Sequence, residues 1–293
     1  MRQKKRTIDL VYIIVTGIVL ALFALSILFL LFWGMLNSFK TQSDFYYNKF
    51  GLPTKFTFDS YLKAWENMTL QRTMANGDMV EFNIIGFFQN SLIYAVGCTV
   101  IKVYTTSLMA YLCARYKKYK TAKFTVQLVI VCMIVPFVGT TPSLIMVLEK
   151  MGLFGTIWGV YFTQLSFQGM HFLILYGIYS SIPMGYSEAA YIDGASHWYV
   201  MTRVIMPLAR TTTSVLLVLN FVTYWNDYQT PLIFWANSPT ISVGLLAYVT
   251  NALNASFPAQ MAADTLTALP LFVLFIAFKK KMLGSLTVGG LKG

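Results

Sequence analysis

Residues 11–36 read VYIIVTGIVLALFALSILFLLFWGML, 26 positions without a charged side chain. At about 1.5 Å of rise per residue, such a run crosses the roughly 30 Å hydrocarbon core of a bilayer as one helix. In lipid every backbone N–H and C=O must be satisfied inside the element, so only helices and closed barrels qualify. A barrel needs alternating segments of about ten residues, and the chain has none. Five more apolar runs follow, at about 88–113, 124–148, 155–180, 212–235 and 262–283. The expectation is an all-α integral membrane protein with six transmembrane helices, forming a single transmembrane domain over 1–293. Composition agrees: 57% of residues are hydrophobic and 11% charged, against about 25% charged in soluble domains. The basic lead MRQKKR imitates a secretion signal, but a signal's apolar core is about 7–15 residues long. The first run is therefore read as a retained helix.

The net charge of +11 would suggest nucleic acid in a soluble chain. Here lysine and arginine sort by side instead. With the N-terminus inside, the inner segments hold Arg2, Lys4, Lys5 and Arg6; Arg115, Lys117, Lys118, Lys120 and Lys123; Arg203 and Arg210; and Lys279, Lys280, Lys281 and Lys292. The outer segments hold Lys40, Lys49, Lys55, Lys63, Arg72 and Lys150. Fifteen against six places both termini in the cytoplasm by the positive-inside rule. The segment 37–87, rich in aromatics and with a short helix expected near SYLKAWENM, becomes an extracytoplasmic cap. Asn67-Met68-Thr69 and Asn254-Ala255-Ser256 match the glycosylation pattern on that side, a match common by chance.

Catalytic signatures are missing. There is no GxxxxGK[ST] phosphate loop, no HExxH and no GxSxG elbow, and so no route to nucleotide hydrolysis, zinc hydrolysis or serine chemistry through those motifs. His171 and His197 are the only histidines and belong to no carboxylate cluster, so no metal site is expected. Cys98, Cys113 and Cys132 have no CxxC spacing and read as buried small hydrophobes. Two places interrupt the apolar pattern within the runs. Lys102 stands near the middle of the second; it is either functional, or paired inside the bundle or reaching toward an interface. In TYWNDYQTPL, Thr223–Leu232, Asn226, Asp227 and Tyr228 either line a polar path or hold a helix kinked near Pro231.

Between the fourth and fifth runs, over 181–211, stands the water-compatible stretch EAAYIDGASHWYVMTRVIMP, Glu188–Pro207. Ser187 reads as an N-cap, with Glu188 in the first turn where the helix dipole favours an acid. Glu188–Ile192 forms a short helix, Asp193 and Gly194 a turn, and Ala195 or Ser196 begins a second helix. That second helix is amphipathic through Trp198, Val200, Met201, Val204 and Ile205. Composition alone favours an interfacial linker packed on headgroups.

The order of residues is more specific. Glu188-Ala189-Ala190, three residues, Gly194, nine residues, then Val204-Ile205-Met206-Pro207 resembles the cytoplasmic loop of permease subunits of ATP-binding-cassette importers. That family's pattern is EAA, three residues, Gly, nine residues, I-x-L-P. Val204 and Met206 replace Ile and Leu and keep the apolar character. NSLIYAVGCTVIKVYTTSLMAYLCARYKKYK is similar to the family's second span with its AYxxAR signature, SIPMGYSEAAYIDGAS and YWNDYQTPL to its carbohydrate branch, and the tail GSLTVGGLKG to the six-span maltose-type subunit. Lys102 departs from the family, which usually has an apolar residue there.

The resemblance implies a type I importer permease fold and a sugar or oligosaccharide as solute. It implies a second homologous permease as heterodimer partner, two ATPase subunits and an extracytoplasmic solute-binding protein, in a bacterial plasma membrane and with no nucleic acid partner. This chain would be no enzyme and carry no cofactor, ATP and Mg being bound by the ATPases. Glu188, Ala189, Ala190, Asp193, Gly194, Ala195, Val204 and Pro207 would form the coupling loop. The tail, through Gly284, Gly289, Gly290, Lys292 and Gly293, would reach between the ATPase subunits. Asn226, Asp227 and Tyr228 are the candidate path residues. The alternatives are an importer permease for a non-sugar solute and a secondary transporter; the latter lacks visible inverted repeats with paired broken helices.

Overall fold

The structure is a computed structural model and describes residues 2–74, 77–135, 139–251 and 256–286. It divides into two compact units, 1–69 with 247–269, and 70–246 with 270–293.

The first unit begins with α1 (Arg2–Ser38), whose apolar side chains from Leu10 to Phe32 are exposed around its circumference. A helix apolar on all faces suits lipid or a partner helix. After it come α2 (Gln42–Tyr47), capped by the Thr41 hydroxyl accepting from Asp44 N, and α3 (Asp59–Asn67). Lys40 organises this stretch. It is fully buried, and its amine donates to the carbonyls of Asn48 (2.5 Å) and Gly51 (2.7 Å). Burial pushes that amine below its usual pKa, with Asp44 opposing. Phe39 packs on Phe56, Phe58 and Tyr61, and the Tyr61 and Ser38 hydroxyls meet at 2.7 Å.

The second unit opens with an antiparallel hairpin, β1 (Leu70–Thr73) and β2 (Met79–Phe82), with Leu70 opposite Phe82. The sequence reading did not foresee it; four-residue strands leave too short an alternation to recognise. Its central element is α4 (Ile84–Arg115), capped by Asn83, whose side chain accepts from Gly86 N. It is followed by α5 (Lys120–Ile134), α6 (Thr141–Lys150), α7 (Ile157–Thr163) and α8 (Met170–Ser181). Next come α9 (Gly185–Ile192), α10 (His197–Tyr199), a π-helical turn at Val200–Ile205, and α11 (Met206–Leu208). The chain order ends with α12 (Arg210–Asn226), α13 (Gln229–Phe234), α14 (Ile241–Thr250) and α15 (Phe257–Leu286), of which α14 and α15 have residues in both units. Helix α4 packs against α8 and α12, around a core that includes Val103, Tyr111, Phe172, Leu175, Tyr179 and Leu216. At Gly97 the contact with α7 is so close that a Cβ would overlap Tyr161, whose hydroxyl donates to Ile93 O at 2.7 Å.

The helices are less continuous than the apolar runs. Among the described residues, Leu10–Ser38, Ile84–Arg115 and Phe257–Lys279 are each long and apolar enough to cross a membrane. His197–Leu208 with Arg210–Asn226, bent by 79°, qualifies only as a pair. The run at 124–148 is split before Thr141, where Gly139 has φ +79° and Pro142 starts the next helix. The run at 155–180 is split at Gln164–Gly169, with Gly169 at φ +113°. The run at 212–235 breaks at Asp227 and Tyr228. Gly284, expected in a separate tail, lies inside α15, which continues to Leu286.

Candidate functional site: the Gly185–Leu208 hairpin

Helix α9 starts at Gly185, earlier than expected, so Ser187 lies inside it and does not cap it. The Ser187 hydroxyl is buried without a hydrogen-bond partner among the described residues. Glu188 is in the first turn and exposed; Ala189 is exposed, and Ala190 packs against the core. The helix ends at Asp193, and Gly194 takes φ +79°. There Gly194 N donates to Tyr191 O (3.0 Å) and Ala195 N to Ala190 O (2.9 Å). These are the two bonds of a Schellman closure, whose left-handed residue is favoured as glycine.

Ser196 then caps the returning segment, its hydroxyl accepting from Tyr199 N at 3.3 Å. His197 Nδ1 and the Tyr191 hydroxyl lie 2.8 Å apart, and their rings pack at 4.9 Å, joining the two arms. Burial raises the Tyr191 pKa, Tyr116 adds to this, and Tyr111 and Arg115 oppose it. The returning arm is amphipathic in fact: Val200, Met201 and Ile205 are buried in the core, with Ala195 and Val204 against it, while Trp198 and Tyr199 face out. This arm widens into a π turn at Val200–Ile205, and Pro207 sits within α11, two features that apolar periodicity does not reveal.

The hairpin is therefore anchored by one face and free on the other. Its outer surface presents Glu188 and Asp193 beside Tyr186, Ile192, Trp198 and Tyr199, with Ile192 86% exposed at the tip. Its entry is tied to α4: Arg115 Nη1 donates to Ile182 O and lies 3.1 Å from Met184 Sδ. Sequence reasoning assigned no role to Arg115, although it closes the AYLCAR stretch.

Asn226, Asp227 and Tyr228 make separate contacts. Asp227 Oδ2 accepts from the Tyr94 hydroxyl at 2.7 Å, and Oδ1 accepts from Gln229 N and Thr230 N. These bonds bridge α4 and the break between α12 and α13. Asn226 donates back to Val222 O, and Tyr228 is half exposed. Gly289, Gly290, Lys292 and Gly293 lie outside the described residues. Among the described residues no three His, Cys, Asp or Glu come together as a metal group, and the three cysteines are free.

A further polar group is assembled where the sequence showed only scattered polar letters. Lys102 donates to the Ser166 hydroxyl in the break between α7 and α8. The Tyr224 hydroxyl donates to Gln164 Oε1 at 2.7 Å, and Asn220 lies 3.2 Å from His171 Nδ1.

Comparison with known proteins agrees with this architecture. The chain is 24% identical to the diacetylchitobiose uptake system permease protein NgcG of Streptomyces coelicolor, over 92% of this chain and 86% of that one. It is 28% identical to the probable starch degradation products transport system permease protein AmyC of Thermoanaerobacterium thermosulfurigenes, over 94% of each. It is 26% identical to the trehalose/maltose transport system permease protein MalG of Thermococcus litoralis, over 93% and 94%. In fold it matches a chain of a bacterial ABC transporter involved in the import of the acidic polysaccharide alginate. That match has TM-score 0.70 and 18% identity and covers 93% of this chain and 96% of that one. The family described as binding-protein-dependent transport system inner membrane component matches residues 106–282, most of the chain including the whole hairpin, and this chain belongs to it.

Proposed function

We propose that this chain is the permease subunit of an ATP-driven importer for a sugar or oligosaccharide, with Glu188–Pro207 as its coupling loop. Six segments cross the plasma membrane with both termini in the cytoplasm, the third to fifth as broken helices. A second, homologous permease completes the path, a solute-binding protein delivers the sugar outside, and two ATPase subunits hold ATP and Mg inside. The sugar assignment is supported by the relatives, several of which are named as permeases for di- and oligosaccharides.

The observation that carries the coupling role is the closed hairpin. A rigid two-armed element with one arm in the core and an acidic, apolar tip facing out can enter a cleft and pass displacement inward. Glu188 supplies charge to the contact, Gly194 the turn, and the Val200–Ile205 arm the link to the bundle. The tail from Gly284 onward reaches the ATPase pair. The test co-expresses the chain with its permease and ATPase partners. Glu188→Lys and Gly194→Pro are expected to lower ATPase recovery and ATP-dependent solute uptake with membrane insertion unchanged. Uptake unchanged by both substitutions and independent of ATP would overturn the proposal.

A further inference from the structure

Lys102 lies on the α4 stripe that begins with Tyr94 and Cys98, each four residues apart and therefore on one face. That stripe meets the Gln164–Gly169 break, where the Lys102 amine donates to Ser166 Oγ at 2.5 Å. His171 stands in the first turn of α8, the helix that follows this same break. Asn220, 6% exposed, donates its amide to Leu216 O and approaches His171 Nδ1. With Nδ1 accepting, the ring proton sits on Nε2. Gln164 completes the group across from Tyr224.

This assembly has two basic side chains, and no carboxylate among the described residues pairs with Lys102. Asp227 is committed elsewhere: Tyr94 and two backbone N–H groups occupy its oxygens. A cation taken out of water into a span is costly unless an anion accompanies it. Interrupted helices at membrane depth are tolerated where their freed polar groups face protein or a solute path. We infer that Lys102, with Gln164 and Ser166 on the break and His171 braced by Asn220, forms a subsite for the carboxylate of an acidic saccharide. The amine takes the carboxylate, and the Gln164 amide and Ser166 hydroxyl take neighbouring sugar hydroxyls. This rests on the sugar-importer reading and narrows it to uronate-bearing solutes.

The test uses the full importer in proteoliposomes with its binding protein. The probes are di- and trisaccharides of galacturonate, glucuronate and mannuronate, beside the same sugars with their carboxyls reduced to alcohols. Lys102→Met is expected to cut uptake of the charged set about tenfold or more, the scale of one charge-assisted hydrogen bond. It is expected to leave the reduced set within about twofold, and Lys102→Arg retains charged uptake because it keeps the charge. Wild-type uptake of the reduced set alone overturns the inference, as does an equal loss of both sets in Lys102→Met. So does loss of permease pairing in Lys102→Met that is restored by neutralising an acid on the partner permease, since the lysine then serves the interface. Uptake of neither set, with ATP hydrolysis stimulated by a non-saccharide, overturns the sugar reading itself.

Discussion

Replacing Gly194 by Ala, Asn and Val isolates the backbone of the hairpin turn. Gly194 has φ +79°, and no atom lies within 4 Å of the place a Cβ would occupy. Sterics within the chain therefore contribute nothing, and the series reads conformation alone. The left-handed region costs an L-residue roughly 1–2 kcal/mol. Alanine recovers about 0.4–1 kcal/mol by narrowing the open ensemble, leaving a net cost near 1 kcal/mol. At about 1.4 kcal/mol per tenfold, Gly194→Ala lowers the population of the closed turn about fivefold. Valine, β-branched, loses more, about tenfold or beyond. Asparagine tolerates positive φ and stays within about twofold. The assay is the affinity of the ATPase subunit for the permease pair in nanodiscs, with ATP-dependent uptake measured in parallel. The expected order of affinity is Gly, Asn, Ala, Val. Ordering by side-chain volume instead, with Asn weaker than Ala, would show that the turn is packed against the ATPase rather than selected for its φ. Wild-type affinity in all three variants would refute the argument outright.

Three further sites test the packing away from the hairpin. Gly97→Ala forces apart α4 and α7 and breaks the Tyr161 bond to Ile93 O; it should destabilise the second unit by about 2–3 kcal/mol in denaturant titration, and adding Tyr161→Leu should recover most of that. Asp227→Leu strips the acceptor from Tyr94 and from two backbone N–H groups, for an expected loss of about 3 kcal/mol, whereas Asp227→Asn retains one oxygen and loses about 1–2; equal losses would show that charge, not acceptor count, matters. Lys40→Met removes the amine bridging Asn48 and Gly51, and subtilisin should then cut the 41–58 segment faster, consistent with about 2 kcal/mol. In the native chain the lowered Lys40 pKa means that the unfolded segment binds the proton more tightly. Resistance to cleavage should therefore rise as pH climbs toward the ordinary lysine value and level off above it; a fall over that range would contradict the burial argument.

The apolar runs located the helices because lipid-grade hydrophobicity is a property of windows, and windows survive single exceptions. What they concealed was continuity. Gly139 and Gly169 precede helices that restart inside apolar runs, and Asp227 ends α12 inside another, and one residue in twenty barely changes a window. Lys40 and Lys102 were legible as charges but not as positions: one is fully buried against carbonyls, the other reaches a break in a helix 64 residues away.

The hairpin and the polar group differ in the same way. The hairpin is closed by bonds between residues a few positions apart, so its glycine, its cap and its periodicity are written contiguously. The polar group joins partners separated by 64, 60 and 49 residues, and nothing local announces that they converge. Helix α4 belongs to both. Lys102 sits midway along it, and Arg115 at its end holds the carbonyl of Ile182 where the chain enters the hairpin. Thirteen residues of helix separate the two, about 20 Å, over which a helix moves as a rigid rod. A displacement of the hairpin must then either shift α4, and with it the amine at the broken helix, or rupture the Arg115 contacts. Two Arg115 nitrogens are buried with no hydrogen-bond partner among the described residues, a cost that weakens this joint and makes rupture the cheaper of the two outcomes.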